Sequence, residues 1–178
     1  MVLLLAGVSN SDETKSKQLT CTFGGTFTDG VETNIDTNND KISANLHQGV
    51  QVCNIGRFLL HSENEFRAAL PSPVTCPVGS QEFDLVQAHG VLTAEKSSDQ
   101  LFYEDAAGGF KFCLNPDLTF SLTEHGTWVG GTGQFTGASG SFDALGTGKF
   151  LVTGSKEGIF GGFGQFTNTI TGTLIESK

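Results

Sequence analysis

Gly130-Gly131-Thr132-Gly133-Gln134-Phe135-Thr136-Gly137-Ala138-Ser139-Gly140-Ser141-Phe142 is the stretch whose reading decides how this chain folds. Its glycines allow a tight backbone reversal, and Phe135, Ala138 and Phe142 can pack inward around it. Just upstream, Leu118, Phe120 and Leu122 alternate with Thr119, Ser121 and Thr123, the cleanest period-two pattern of the chain. That period sets the apolar residues on one face of a strand. Downstream, Phe142, Ala144, Phe150 and Val152 form a second such face. The segment reads as two strands joined by a glycine-rich turn.

Similar faces lie further out. Ile42, Ala44, Leu46, Val50 and Val52 share one parity, and Phe166, Ile170 and Leu174 share another. Turn-like clusters separate them at Asp36 to Asp40, Asn115-Pro116-Asp117 and Gly161-Gly162. Many strands with short polar turns predict an all-β fold. A single antiparallel barrel is preferred over a sandwich, because glycine inside long strands lets them bend to close a sheet. Composition agrees. Gly is 24 of 178 residues, roughly twice its usual share of about 7%, and a charged fraction of 16% argues against a helical bundle. One segment points elsewhere: Ser62-Glu63-Asn64-Glu65 has capping-box spacing, with Phe66, Ala69 and Leu70 at helical spacing and a stop at Pro71. The rival, and the preferred reading, is that Ile55 to Phe66 runs on as one strand. Residues 1–18 read as an N-terminal segment, either a signal remnant around Val2 to Val8 or a first strand, and residues 19–178 as the barrel domain.

Ten Lys and Arg stand against 19 Asp and Glu, a net charge of −9. Arg57 and Arg67 are the only arginines, so the clustered cations that nucleic acid or an anionic membrane surface demands are missing. No run approaches the ~20 apolar residues of a spanning helix. Cys21, Cys53, Cys76 and Cys113 are even in number and lack C-x-x-C spacing, which disfavours a zinc site. Three pairings are open, and four buried thiols are the alternative. The loop-like setting of Cys76, between Pro71 and Pro77, favours a Cys76–Cys113 disulfide, leaving Cys21 to Cys53. Two disulfides fit a secreted or periplasmic protein.

The Gly130–Phe142 stretch resembles the G-T-G-x-F-x-G-A-x-G-x-F segment of dirigent proteins and allene oxide cyclases. Asp36-Thr37-Asn38-Asn39-Asp40 and Gly56-Arg57-Phe58 look like secreted bacterial proteins of the same barrel type. The resemblance covers residue 19 to the C-terminus and implies a single antiparallel eight-stranded barrel. It also implies a lumen that serves as a shaped cavity, and a homo-oligomer, most often a trimer. The named families guide coupling of phenoxy radicals or cyclise an epoxide, but their catalytic residues match no positions here. A turn of Gly and Phe describes architecture rather than chemistry.

Strand parity supplies a candidate lumenal site. If Leu118, Phe120 and Leu122 point inward, so do Glu124 and Trp128; Gln48 shares the face of Leu46 and Val50, and Asn168 that of Phe166 and Ile170. A few convergent polar groups on apolar walls are the usual make-up of a pocket. The alternatives are hydrogen-bonded core residues, and a strand exit at Glu124-His125-Gly126 that leaves the carboxylate in water. Inside the lumen, burial would disfavour the charge of Glu124, and Trp128 would offer a flat wall. Asp36-x-Asn38-x-Asp40 opens like a calcium loop, but Lys41 stands where glycine is needed and His47 where a bidentate Glu is. His47 and His125 face away from the apolar side, and no G-x-S-x-G elbow or phosphate loop is present. No cofactor or metal is expected. Phe102, Phe110 and Phe112 with Leu101 occupy both parities, so without a bulge part of this apolar surface lies outside and marks an interface. Three functions fit: binding of a small apolar or aromatic molecule in the lumen, an enzyme steering cyclisation or coupling there, and a structural oligomer with a filled barrel.

Overall fold

The computed structural model describes residues 15–28, 45–68, 76–105, 109–156 and 159–176. Nine strands follow in order: β1 Lys15–Thr28, β2 Asn45–Cys53, β3 Gly56–Ala68, β4 Gln81–Ala94, β5 Gln100–Asp105, β6 Phe110–Leu114, β7 Thr119–Gly131, β8 Ser139–Lys156 and β9 Ile159–Glu176. All pairings are antiparallel. β1 lies between β2 and β9, β8 joins β9 to β7, and β3 joins β2 to β4. β5 and β6 both bridge β4 to β7, β5 through Ala88–Thr93 of β4 and β6 through Gln81–Asp84. They are two halves of one position, and the sheet closes as an antiparallel ring of eight. The expected barrel is thus the observed fold, and its first described strand begins at Lys15, four residues before the expected boundary.

Inward positions alternate between large rings and glycine. Tyr103 lies over Gly90, Phe142 over Gly126, Phe120 over Gly148 and Phe27 over Gly164, each ring occupying the space where a Cβ would stand. Gly25 and Gly49 together make room for Phe23. An eight-stranded ring is just wide enough for side chains to fill, so every ring needs a missing side chain opposite it. Phe27, Phe112, Phe120, Phe150 and Phe166 pack ring to ring toward one end, with centroids 4.7–6.5 Å apart. At the other end the Gly130–Phe142 turn makes one 3-10 turn at Gly133–Phe135, and Phe135 plugs the barrel against Phe58, centroids 6.0 Å apart. Gly130, Gly133, Gly137 and Gly140 all have positive φ, a conformation costly to side-chain-bearing residues.

Both expected disulfides are present. Cys21–Cys53 ties directly opposed residues of β1 and β2, and Cys76–Cys113 ties the approach to β4 to β6. Among the described residues no helix is long and apolar enough to cross a membrane.

The reading of Ile55 to Phe66 as one strand holds: Gly56–Ala68 forms β3, with a bulge between Glu65 and Phe66, and no helix starts at Ser62. Three expectations from periodicity need correction. In β2 the parity is reversed: Leu46 and Val52 are 40% and 48% exposed, and Gln48 goes with them to the outer face, whereas His47 turns inward. With Phe23 and Phe27 of β1 filling that sector of the lumen, β2 has little room left for apolar side chains inside. Val152 is exposed because the register slips between Phe150 and Val152. Phe110 and Phe112 join Tyr103 in the core because the break between β5 and β6 resets parity, and only Phe102 faces out. The calcium-like Asp36 to Asp40 and the apolar Val2 to Val8 lie outside the described residues.

The ring-over-glycine packing predicts that Gly90→Ala displaces the Tyr103 ring and destabilises the protein by roughly 1–3 kcal/mol. Urea unfolding measures this, and an unchanged midpoint would contradict the packing.

Candidate functional site

Between the phenylalanine end and the Phe135 end lies a belt of inward polar side chains. β7 brings Glu124 and Trp128 there, as its alternation with Phe120 and Leu122 requires. β9 brings Asn168 from between Phe166 and Ile170. Three of the four residues expected from parity thus line one chamber. Gln48 does not; it lines an open cleft of ≈ 720 Å³ on the outer face with Leu46, Phe102 and Val129. His125 points outward as expected, its Nδ1 2.8 Å from Asp143.

Six further residues meet in the belt that periodicity did not single out: His47 and Gln51 from β2, Ser62 and Asn64 from β3, and Tyr103 and Asp105 from β5. A signal for four of them existed. Phe58, Leu60, Ser62 and Asn64 alternate inward along β3, as do Leu101, Tyr103 and Asp105 along β5. β2 carried no such signal, its apolar residues being outside.

The void these groups leave is ≈ 20 Å³, enclosed by Leu122, Phe142 and Ile170 among others. Its aromatic wall is tight. Trp128 and Phe142 are 4.5 Å apart between centroids, and Tyr103 meets both edge-on at 6.1 and 5.4 Å. Polar atoms of its lining are buried without a partner: Asn64 Oδ1, Asn168 Oδ1 and Trp128 Nε1. Ser62 Oγ lies beside the Tyr103 hydroxyl without a well-directed bond. An orphaned buried polar atom costs about 1–3 kcal/mol, so this concentration in one chamber is a local cost to the fold.

Asp105 and Glu124 form the electrostatic centre. Two ionised carboxylates can only accept, so the bond between them exists only while one holds a proton. Burial first, then the charge of Asp105 and the bond to it, raises Glu124 well above the ordinary carboxyl range. Glu124 therefore keeps the proton and donates it. Burial raises Asp105 to about 6, opposed by that bond and by His125 and His89. Burial also lowers His47 to about 4. Neutral His47 can accept at Nδ1 from the Asn64 amide at 3.1 Å, which assigns its proton to Nε2. Tyr103 is raised well above its ordinary value, by burial and then by the negative charges of Glu124 and Asp105. No group of three or more His, Cys, Asp or Glu suited to a metal occurs among the described residues.

No known protein-family model matches this chain, and no curated protein matches its sequence.

The two sets of shifts pull stability in opposite directions. The raised Asp105 carboxyl stabilises the fold below about pH 4, and this is lost as pH rises through about 6. The lowered His47 stabilises it above about 6.5, and this is lost as pH falls toward 4. In the double variant Asp105→Asn/Glu124→Gln both raised carboxyls are gone, so stability should climb from pH 4 to 6.5 by up to about 3 kcal/mol. In His47→Gln it should instead decline as pH rises through that window. Urea midpoints against pH check both, and parallel curves for the two variants would refute the assignment.

Proposed function

We propose that the protein is an exported ligand-binding barrel that holds a small molecule in its lumen. The observation supporting this is the ring of unpartnered buried polar atoms around a single void. A barrel that only needed filling would place apolar side chains there, as both its ends do. The expected apolar or aromatic guest becomes, on this geometry, a small one with a polar group directed at Asn64, Asn168 and the Asp105–Glu124 pair, and a body against Trp128. The two disulfides and the acidic surface fit an extracellular or periplasmic setting. The resemblance of the Gly130–Phe142 turn to dirigent proteins and allene oxide cyclases agrees with a lumenal site.

The shared proton favours a second reading, an enzyme that steers cyclisation or coupling in the same chamber. Glu124 would donate its proton to a bound substrate, Asp105 would stabilise the partner state, and confinement would orient the reacting atoms. The small void favours a third, a structural barrel without a guest. Native mass spectrometry of gently purified protein separates them. A mass above that of the disulfide-bonded chain, lost on denaturation, is expected; a bare mass in every preparation, with no response of Trp128 fluorescence to small polar molecules, would leave the structural barrel.

The same proposal includes a homo-oligomer, a trimer on the resemblance. Leu46 and Val129, both exposed, and Phe102 flank the outer cleft and supply apolar surface for it. Sedimentation velocity should give a mass near three chains, and a clean monomer at high concentration would overturn it.

A further inference from the structure

We propose that the lumenal chamber takes a small ammonium group, the protonated head of a primary alkylamine. This rests on the lumenal-site reading and names the chemistry of its guest. The void of ≈ 20 Å³ has room for one water-sized group, and an ammonium is that size. The groups facing it are mainly acceptors: Asn64 Oδ1 and Asn168 Oδ1 have no donor, and Glu124 lines it with the buried Asp105 carboxylate bonded behind. Water donates two hydrogen bonds, whereas a primary ammonium donates three, so the cation satisfies more of this set. Among the described residues no Lys or Arg lines the chamber, leaving the acid pair without a fixed counter-charge there. Trp128, Tyr103 and Phe142 add aromatic faces that attract a desolvated cation. The net charge of −9 draws cations toward the protein at long range. Trp128 Nε1 is the one orphan that a cation does not satisfy, and the indole contributes its face instead.

The proton balance follows from the pair. The ammonium binds to ionised Asp105 while Glu124 keeps its proton; where Asp105 is protonated, binding must release one proton to solvent. Affinity therefore rises with pH. The titratable groups that share the chamber with the pair are Tyr103 on β5 and His47 on β2, while His125 on β7 and His89 on β4 act on Asp105 from the outer face.

The test uses the full chain with disulfides intact and the fluorescence of Trp128, the only tryptophan. Methylammonium chloride is titrated at pH 8 and pH 5, with potassium chloride, a monovalent cation without hydrogen-bond donors, and methanol, a neutral molecule of similar size, as controls. A saturable change at pH 8, at least tenfold weaker at pH 5 and in Asp105→Asn, retained in Glu124→Gln, which keeps a neutral donor beside Asp105, and with neither control responding, is the expected result. Should Asp105→Asn not fold, the wild-type pH comparison reads the same dependence. An equal response to potassium, or one indifferent to pH and to Asp105→Asn, overturns the ammonium assignment. Methanol responding while methylammonium is silent overturns it too but leaves the lumenal site standing. Silence of both, with a bare mass in native spectrometry, removes the site as well.

Discussion

An aromatic ring lying over a glycine of the neighbouring strand is the contact on which the whole barrel depends. Closing eight positions into a ring fixes the interior volume before any side chain is chosen. Each buried aromatic brings some 150–250 Å² of surface to that interior, so it can enter only where a facing position is empty. Gly90 under Tyr103, Gly126 under Phe142 and Gly148 under Phe120 are such positions. The abundance of both Gly and Phe is therefore one fact rather than two. It also explains why interior glycines, which weaken a strand by entropy and by lost packing, are tolerated: the ring that covers each one returns apolar burial.

The same volume rule shapes the polar belt. Tyr103 and Phe142 sit at the boundary between the belt and its aromatic wall, and the rings of both occupy glycine spaces. What remains between them is filled by groups of intermediate size, Ser62, Asn64, Asn168 and Asp105, rather than by aliphatic side chains. These choices sacrifice stability. Orphaned acceptors and a desolvated acid pair are individually unfavourable. The Phe135 plug, the phenylalanine layer and the two cross-links lie on either side of the belt, where they can offset that cost without touching the void.

Much of the architecture was legible in the sequence because apolar alternation and glycine-rich turns act locally. Phe120, Leu122 and Trp128 along β7, and Phe166, Ile170 and Leu174 along β9, are buried as period two requires. The Gly130–Phe142 turn places Phe135, Ala138 and Phe142 inside, as its pattern suggested. Glu124 and Asn168 were legible for the same reason, being carried inward by apolar neighbours of equal parity. What alternation cannot register is a discontinuity of backbone: the bulge at Glu65, the slip at Phe150 and the break between β5 and β6 each reset the parity downstream. Helical spacing after Ser62 lost to strand pairing, since β3 had β2 and β4 on either side to satisfy its backbone.

The failure at β2 is of another kind and carries information. No bulge or break accounts for it. Its apolar residues Leu46 and Val52 face outward and its inward set is His47, Gly49 and Gln51, so a rule that sends the more apolar face inside must choose wrongly. That rule assumes a core with nothing to do but exclude water. It breaks where the interior has been reserved, here because Phe23 takes the space over Gly49 and because His47, neutral and bonded to Asn64, borders the chamber. Conflict between a local pattern and the fold is expected at functional or strained sites, which supports the proposed lumenal site. The strand on which sequence alternation points the wrong way is one that delimits the site, and Gln48, chosen by that alternation, marks the opposite face of the same wall.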